Sequence, residues 1–415
     1  MTAIAEEPRI EEHRIAEIAI PQPVPVSGVV DIADGHGFIR TAGYLRSDDD
    51  IPLSSAQVRQ YGLRAGDHIE GAVSIQQGSA QPSRPRQSSR PQQTRARTRT
   101  EPAKAAKSLL IVETVNGRPA SEAGHRRNFD ALTPIYPNQR LRLETGEPSR
   151  TARIIDLVSP IGKGQRGLIV APPKAGKTTV LKTIAHAVAA AYPEVHLMVV
   201  LVGERPEEVT DLSRSVRGEV IASTFDQSPS DHIKAAELAI ERAKRLAELG
   251  RDVVVMLDSL TRLGRAYNMV APPSSRTLTG GVAVSALQPP RKFLGAARCL
   301  EEGGSLTILS TALIDTGSQL DNVLFEEFKG TGNMELRLRR DLAEKRLFPA
   351  IDTAASGTRR EDLLMSAAEH NAVVSLRRAL AALDSQHALE LLLDRTAAPN
   401  EQFLRQVSSA QVAGA

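Results

Sequence analysis

Residues 168–179, LIVAPPKAGKTT, carry an apolar run into a Pro-Pro turn and then into Gly176-Lys177-Thr178. The continuation KTTVLKTIAHAVAAA has helical apolar spacing and no proline. A buried strand, a tight turn and a helix amino terminus in that order make an anion cradle. Successive backbone N–H groups converge on phosphate oxygens, and the helix dipole adds positive potential. Lys177 then suits the β- and γ-phosphates and the Thr178 hydroxyl a magnesium ion, with Pro173, Lys174, Ala175, Gly176 and Thr179 completing the loop. Ala171 stands where the usual pattern has its first glycine, a position that only begins the turn, whereas Gly176 must let backbone approach an anion closely. With strand and helix signals on both sides, the stretch predicts nucleotide binding rather than a surface turn that happens to contain Gly-Lys-Thr.

Beyond the loop, strand and helix patterns alternate as in a parallel sheet. VHLMVVLVG is followed by Glu204 and Arg205, EVIAST by the long helical pattern SDHIKAAELAIERAKRLAELG, and DVVVMLD ends in Asp258 before SLTILSTAL supplies another buried strand. An apolar strand ending in aspartate is the second metal element of phosphate-loop enzymes, which gives Asp258 the magnesium shell. The alternative reading of Asp258 is an N-cap for the helix beginning near Ser259. Glu204, at the carboxyl end of a neighbouring strand, is the best candidate general base for water, because open α/β sheets bind ligands along that edge.

At 415 residues the chain exceeds the size of a single core, so two or three domains are expected. The lone cysteine, Cys299, excludes a disulfide framework and a cysteine zinc site. The strongest apolar run, residues 197–202, is far too short for a membrane span, and the amino terminus bears Glu6, Glu7, Glu11 and Glu12 where a secretory signal would be basic. No membrane partner and a cytoplasmic location are expected.

Net charge is +3, but it is unevenly placed. Residues 76–107 hold Arg84, Arg86, Arg90, Arg95, Arg97, Arg99, Lys104 and Lys107 against Glu101 alone, a local +7 that leaves −4 for the rest. Rich in Pro, Gln and Ser with no aromatic or aliphatic β-branched residue, this tract reads as a disordered basic insertion with an affinity for phosphate backbones. Around it, SGVVDIADGHGFIR, DDIPLSSAQVRQYGLRAGDHIEGAVSI and KSLLIVETVNG are short apolar runs at the spacing of a small barrel. The hexapeptide GHGFIR (residues 35–40) resembles the cold-shock type of oligonucleotide-binding fold, in which an aromatic such as Phe38 stacks a base and a nearby arginine such as Arg40 takes phosphate. A phenylalanine on a short strand is otherwise more often core.

The segments GLIVAPPKAGKTT, LVGERPEEVTDLSRSVRGEVIASTFD, MLDSLTRLGRAYN, LTGGV, GAARCLEEGGSLTILSTALIDTGSQLD, EEFKGTGNMELRL and EKRLFPAIDTAASGTRREDLL, in that order, resemble successive signatures of the bacterial transcription termination factor Rho family. The resemblance is dense over residues 132–393 and looser in the cold-shock region. It implies a homohexameric, ATP- and Mg²⁺-dependent ring that translocates 5′ to 3′ on single-stranded RNA and releases transcripts from RNA polymerase. It further implies Arg205 and Arg262 at the nucleotide, Phe348 near the adenine, and Arg359 as a finger for the neighbouring subunit's ATP. Arg276, Thr277 and Gly280 fall in one channel loop (276–281), Thr316 in a second (316–319), and Asp50 joins Phe38 and Arg40 as an RNA contact. Four positions depart from the pattern: Gln319 replaces a basic residue, Gly203 an acid, His36 an aromatic, and Pro52 a base-stacking tyrosine.

The expected architecture is an α/β, RecA-like phosphate-loop ATPase domain (151–395) behind a small oligonucleotide-binding, cold-shock-like β-barrel (26–125) interrupted at 76–107. A tail (1–25), a connector (126–150) and a carboxyl tail (396–415) complete it. Two rival functions remain at this level: a regulatory RNA-binding paralogue with weak translocation, and a rotary or secretion-type ring ATPase, which gives no reason for the Phe38 strand or the Arg tract.

Overall fold

The computed structural model describes residues 23–33, 36–75, 107–145 and 149–413. Most of the Arg tract and of the amino-terminal tail lie outside them. The first region is an antiparallel sheet in the order Ile51–Leu53, His36–Arg40, Val24–Ala33, His68–Ile75, Lys107–Val115, Arg118–Pro119. Alternate residues point inward, as a two-residue period demands, so Val30, Ile39, Ile51, Ile69, Val112 and Val115 share one small core. The Ile51–Leu53 strand returns against Lys107–Val115, curling the sheet into the oligonucleotide-binding barrel. Ile75 pairs directly with Lys107, so the Arg tract leaves and re-enters between two hydrogen-bonded neighbours.

The second region is built on a mainly parallel sheet ordered Glu219–Thr224, His196–Glu204, Asp252–Asp258, Ser305–Leu313, Arg166–Ala171, Met334–Arg337, with Gly357–Thr358 antiparallel at the edge. Both faces are covered, which is why these strands read as continuous apolar runs rather than alternating ones. Ile169, Val199, Leu201, Val254 and Met256 pack to one side with the phosphate-loop helix Lys177–Ala191. Leu168, Val170, Val200, Val202 and Val255 pack to the other with the helices Pro229–Ala247 and Leu260–Val270. At roughly 1.5–3 kcal/mol per fully buried aliphatic side chain, these two layers hold the strand ends in register.

Residues 396–415, expected as a tail, instead contain a helix, Asn400–Ala413, that buries Phe403 and Leu404 in the first of these cores. Asn400 Nδ2 donates to the Arg153 carbonyl at 2.9 Å, fixing the start of that helix. The barrel is joined to the ATPase core through charge as well as apolar packing. Glu248, whose side chain is fully enclosed, accepts from both terminal nitrogens of Arg64 (3.1 and 2.7 Å) and from the Phe129 amide (2.8 Å). Arg242 Nη1 donates to Asn116 Oδ1 at 2.7 Å, and Tyr44 donates to Glu219.

Candidate nucleotide and RNA sites

The strand Arg166–Ala171 delivers the chain to the phosphate loop with Ala171 buried, and Gly176 turns into the helix at φ +91°. At that angle any side chain would be strained. A Cβ at 176 would also stand 3.7 Å from the ring of Phe348, so the expected adenine-side aromatic does lie against the loop, half exposed. Lys174 takes φ +67° and is exposed beside Pro173, while Ala175 is buried under the turn and Thr178 and Thr179 occupy the first helical turn.

Lys177, Glu204 and Asp258 converge at the carboxyl edge of the sheet. The lysine Nζ is 3.0 Å from Glu204 Oε1 and 2.5 Å from Asp258 Oδ1. Ser259, not Asp258, caps the helix Leu260–Val270, its Oγ accepting from the Arg262 amide at 3.1 Å. Asp258 is therefore free of the capping role and is 2% exposed. Arg262 Nη1 lies 2.7 Å from Glu204 Oε1 and donates to the Gly203 carbonyl at 2.6 Å. Burial pushes Lys177 down, but Asp258 and Glu204 outweigh it and hold its ammonium above the ordinary value. Burial pushes Glu204 up, yet Lys177 and Arg262 together hold its carboxyl below the usual range. For Asp258 burial prevails over Lys177 and raises the carboxyl.

Two expected nucleotide residues stand apart from this cluster. Arg205 is exposed at the start of the helix Pro206–Ser215. Arg359 follows the edge strand Gly357–Thr358, its amide donating to the Asn333 carbonyl at 2.9 Å beside Arg166, where the phosphate-loop strand begins. At about 3.3 Å per residue, the six residues of that strand separate the two ends by roughly 17 Å. Arg359 therefore does not belong to the pocket of its own chain.

On the barrel, Phe38 is exposed and pairs across the strands with Asp31 and Pro52. Pro52 is exposed as well, so it stands beside Phe38 on the outer face. Arg40 is not a free phosphate ligand: it is 6% exposed and held by Asp31 and Asp50, with its guanidinium 5.4 Å from the Phe38 ring centroid. Burial and two carboxylates are the reason, since a buried guanidinium must be paired. Asp50 keeps a second oxygen, Oδ1, that is buried and makes no hydrogen bond. In the core, Arg276, Thr277 and Gly280 lie exposed on the hairpin formed by Thr277–Leu278 and Val282–Ala283. A Cβ on Gly280 would be 3.0 Å from the Gln319 carbonyl carbon, so the two expected channel loops touch. Thr316 donates to Asp321 Oδ2 at 2.5 Å, tying the second loop to the helix Gln319–Lys329.

Several site residues gave no signal in the sequence because their partners are distant along the chain. Thr311 Oγ1 donates to Asp258 Oδ1 at 2.7 Å from the adjacent strand. Asn268 clamps the channel hairpin through the Gly281 carbonyl (3.2 Å) and the Ala283 amide (2.7 Å). Among the described residues no group of three or more His, Cys, Asp or Glu could hold a metal alone. No helix of the described residues is long and apolar enough to cross a membrane.

Residues 151–358 match the ATP synthase alpha/beta family, nucleotide-binding domain, and residues 26–121 match the Rho termination factor, RNA-binding domain. A transcription termination factor Rho of Streptosporangium roseum is 56% identical over 384 residues, 92% of each chain. That of Micrococcus luteus is 55% identical over 403 residues, 97% of this chain but 56% of its own length. The chain spans a little over half the length of several such curated relatives. Among solved structures, a type III secretion system ATPase of pathogenic bacteria shares the fold at 23% identity and a TM-score of 0.57, over 68% of this chain and 87% of its own.

Proposed function

The chain belongs to the transcription termination factor Rho family, and from that premise we propose that it is an RNA-dependent ATPase that moves 5′ to 3′ on single-stranded RNA and releases transcripts from RNA polymerase in the cytoplasm. The observation that carries the reading is one chain uniting an exposed Phe38 platform on an RNA-binding barrel with the Lys177–Glu204–Asp258 cluster of an ATPase core.

The reaction follows from the charges. Lys177 neutralises two buried carboxylates, and a triphosphate reaching the helix amino terminus offers it a stronger partner. Glu204 then keeps Arg262 alone, and as a carboxylate held below its ordinary value it is ionised and able to orient the attacking water. Thr178 and Asp258 supply the hard oxygen donors that suit Mg²⁺, an ion normally bound through one or two carboxylates together with phosphates. That ion, when bound, would neutralise the charge that develops on the phosphates during transfer. Arg359, at the far end of the phosphate-loop strand, is well sited to serve a neighbour's nucleotide, which supports a homohexameric ring. On the barrel a base stacks on Phe38, with Asp50 beneath it holding Arg40 beside the ring, while Arg276, Thr277, Gly280 and Thr316 line the RNA path.

The test is ATP hydrolysis with and without poly(C), poly(U) and mixed RNA, followed by transcript release from a stalled elongation complex. RNA-stimulated hydrolysis with release is expected. Stimulation without release would favour a regulatory RNA-binding protein, and hydrolysis indifferent to RNA would overturn the proposal.

A further inference from the structure

Behind Glu204, on the side away from Lys177, two residues that the mechanism does not use form a second layer. Ser223, on the strand Glu219–Thr224, is fully buried, and its Oγ lies 2.6 Å from Nδ1 of His232 in the first turn of the helix Pro229–Ala247. The other face of the imidazole looks toward Gly203. A Cβ at 203 would stand 3.7 Å from His232 Nε2 and 3.2 Å from Cδ of Arg262, so ring and arginine converge on the same glycine.

Gly203 sits at φ +66°, where the register between His196–Glu204 and Glu219–Thr224 shifts. A glycine bulge of this kind re-aims the next side chain, here Glu204. Its carbonyl accepts from Arg262 Nη1, which also contacts Glu204. The Glu204 carbonyl in turn accepts from the Phe225 amide at 3.1 Å, two residues beyond Ser223. Bulge, arginine and glutamate thus share one support.

We propose that His232, anchored by Ser223, is a positioning residue for hydrolysis: a neutral imidazole that walls the Gly203 bulge so that Arg262 keeps Glu204 aimed once Lys177 has turned to the nucleotide. The inference rests on the ATPase reading above. Neutrality matters because of what faces the ring. Burial and Arg262 push its protonation down, outweighing Asp231 on its own helix and Asp226 on the preceding turn, while Ser223 and Gly203 bring no charge. A proton on the ring would set a second cation beside the guanidinium that must hold Glu204.

The experiment is steady-state hydrolysis by the full chain with poly(C), from neutral to mildly acidic pH, for wild type, His232→Ala, His232→Asn and Ser223→Ala. His232→Ala and Ser223→Ala are expected to lower kcat about 10- to 100-fold with the KM for ATP nearly unchanged. His232→Asn keeps a hydrogen-bonding atom near the Nδ1 position and should restore most of kcat. It should also lack the fall in kcat that wild type shows as pH drops through the imidazole range. Wild-type kcat in His232→Ala, or an unaltered acid limb in an active His232→Asn, would overturn the inference while leaving the ATPase reading intact. The inference also fails if all three variants lose kcat, ATP affinity and cooperative unfolding together, which is the mark of a merely structural histidine. A wild-type chain without RNA-stimulated hydrolysis would instead overturn the ATPase reading, and this inference with it.

Discussion

Thr311 gives its hydroxyl hydrogen to Asp258 across two neighbouring parallel strands, at 2.7 Å and with both residues buried. The bond orients the carboxylate that also meets Lys177, so Asp258 is fixed from two sides. Thr311→Val keeps shape and removes the donor. The expected loss is about 1.5–3 kcal/mol for a hydrogen bond to a charged group, visible as a lower Tm. RNA-stimulated kcat should fall about tenfold for each 1.4 kcal/mol lost from the transition state. An unchanged kcat would mean that the orientation of Asp258 is set elsewhere.

Lys177→Ala should abolish hydrolysis while RNA binding to the barrel survives, read by fluorescence anisotropy on labelled RNA. It should also destabilise the core by about 3–5 kcal/mol, since removing one partner leaves buried carboxylates uncompensated. The pH dependence has a definite sign. Asp258, already raised by burial, rises further without the lysine. A raised carboxyl contributes stability below its unfolded value and loses it as pH climbs through the folded one. The Tm deficit of the variant should therefore widen as pH climbs above the ordinary aspartate range, and a deficit that shrinks with rising pH would contradict the account.

Mixing Arg359→Ala subunits with wild type should depress hydrolysis more steeply than simple dilution if each arginine completes a neighbour's site. A decline proportional to the mutant fraction would mark Arg359 as an ordinary surface residue.

Two features of the barrel should separate by salt dependence. Deleting residues 80–104 leaves the Ile75–Lys107 pairing intact and removes seven basic residues. RNA binding should weaken across all sequences, and the slope of log affinity against log salt should flatten by about 0.7 for every phosphate that is no longer neutralised. Phe38→Ala should lower affinity by about 1–3 kcal/mol with little change in slope, because a stacked base releases no counterions. Equal slope changes in the two variants would contradict this division.

How far the site could be read in advance depended on where its partners lie. Gly176-Lys177-Thr178 is local, and the strand ends at Glu204 and Asp258 announce themselves through the apolar runs before them. The helix Asn400–Ala413 carries a readable pattern in Phe403, Leu404 and Val407, but it follows an apparent end of the ATPase region, where a tail is the simpler expectation. Thr311, Asn268, Ser223 and His232 act through partners that only the sheet order or the tertiary packing brings near, and hydroxyl, amide and imidazole groups leave no periodic trace. Arg40 shows the same limit: the sequence displays a basic residue near an aromatic, but not the two acids that enclose it.

Phe403→Ala tests that carboxyl helix directly. With the ring 6% exposed, the expected cost is about 3–5 kcal/mol, measured by urea unfolding, with RNA affinity of the barrel unchanged. A cost below about 1 kcal/mol would return residues 400–413 to the status of an appendage.

The strand Arg166–Ala171 ends in the phosphate loop and begins beside the segment that carries Arg359. It is hydrogen-bonded along both edges, so it cannot shorten or bend without tearing the centre of the sheet. The phosphate loop and the segment that carries Arg359 are thus held at the two ends of one stiff strand. If such subunits close head to tail into a ring, these strands all point the same way round, and the proposed Arg359 contact would couple each nucleotide pocket to one neighbour and not to the other. The handedness of any sequential firing order would then be set by the direction of a single six-residue strand.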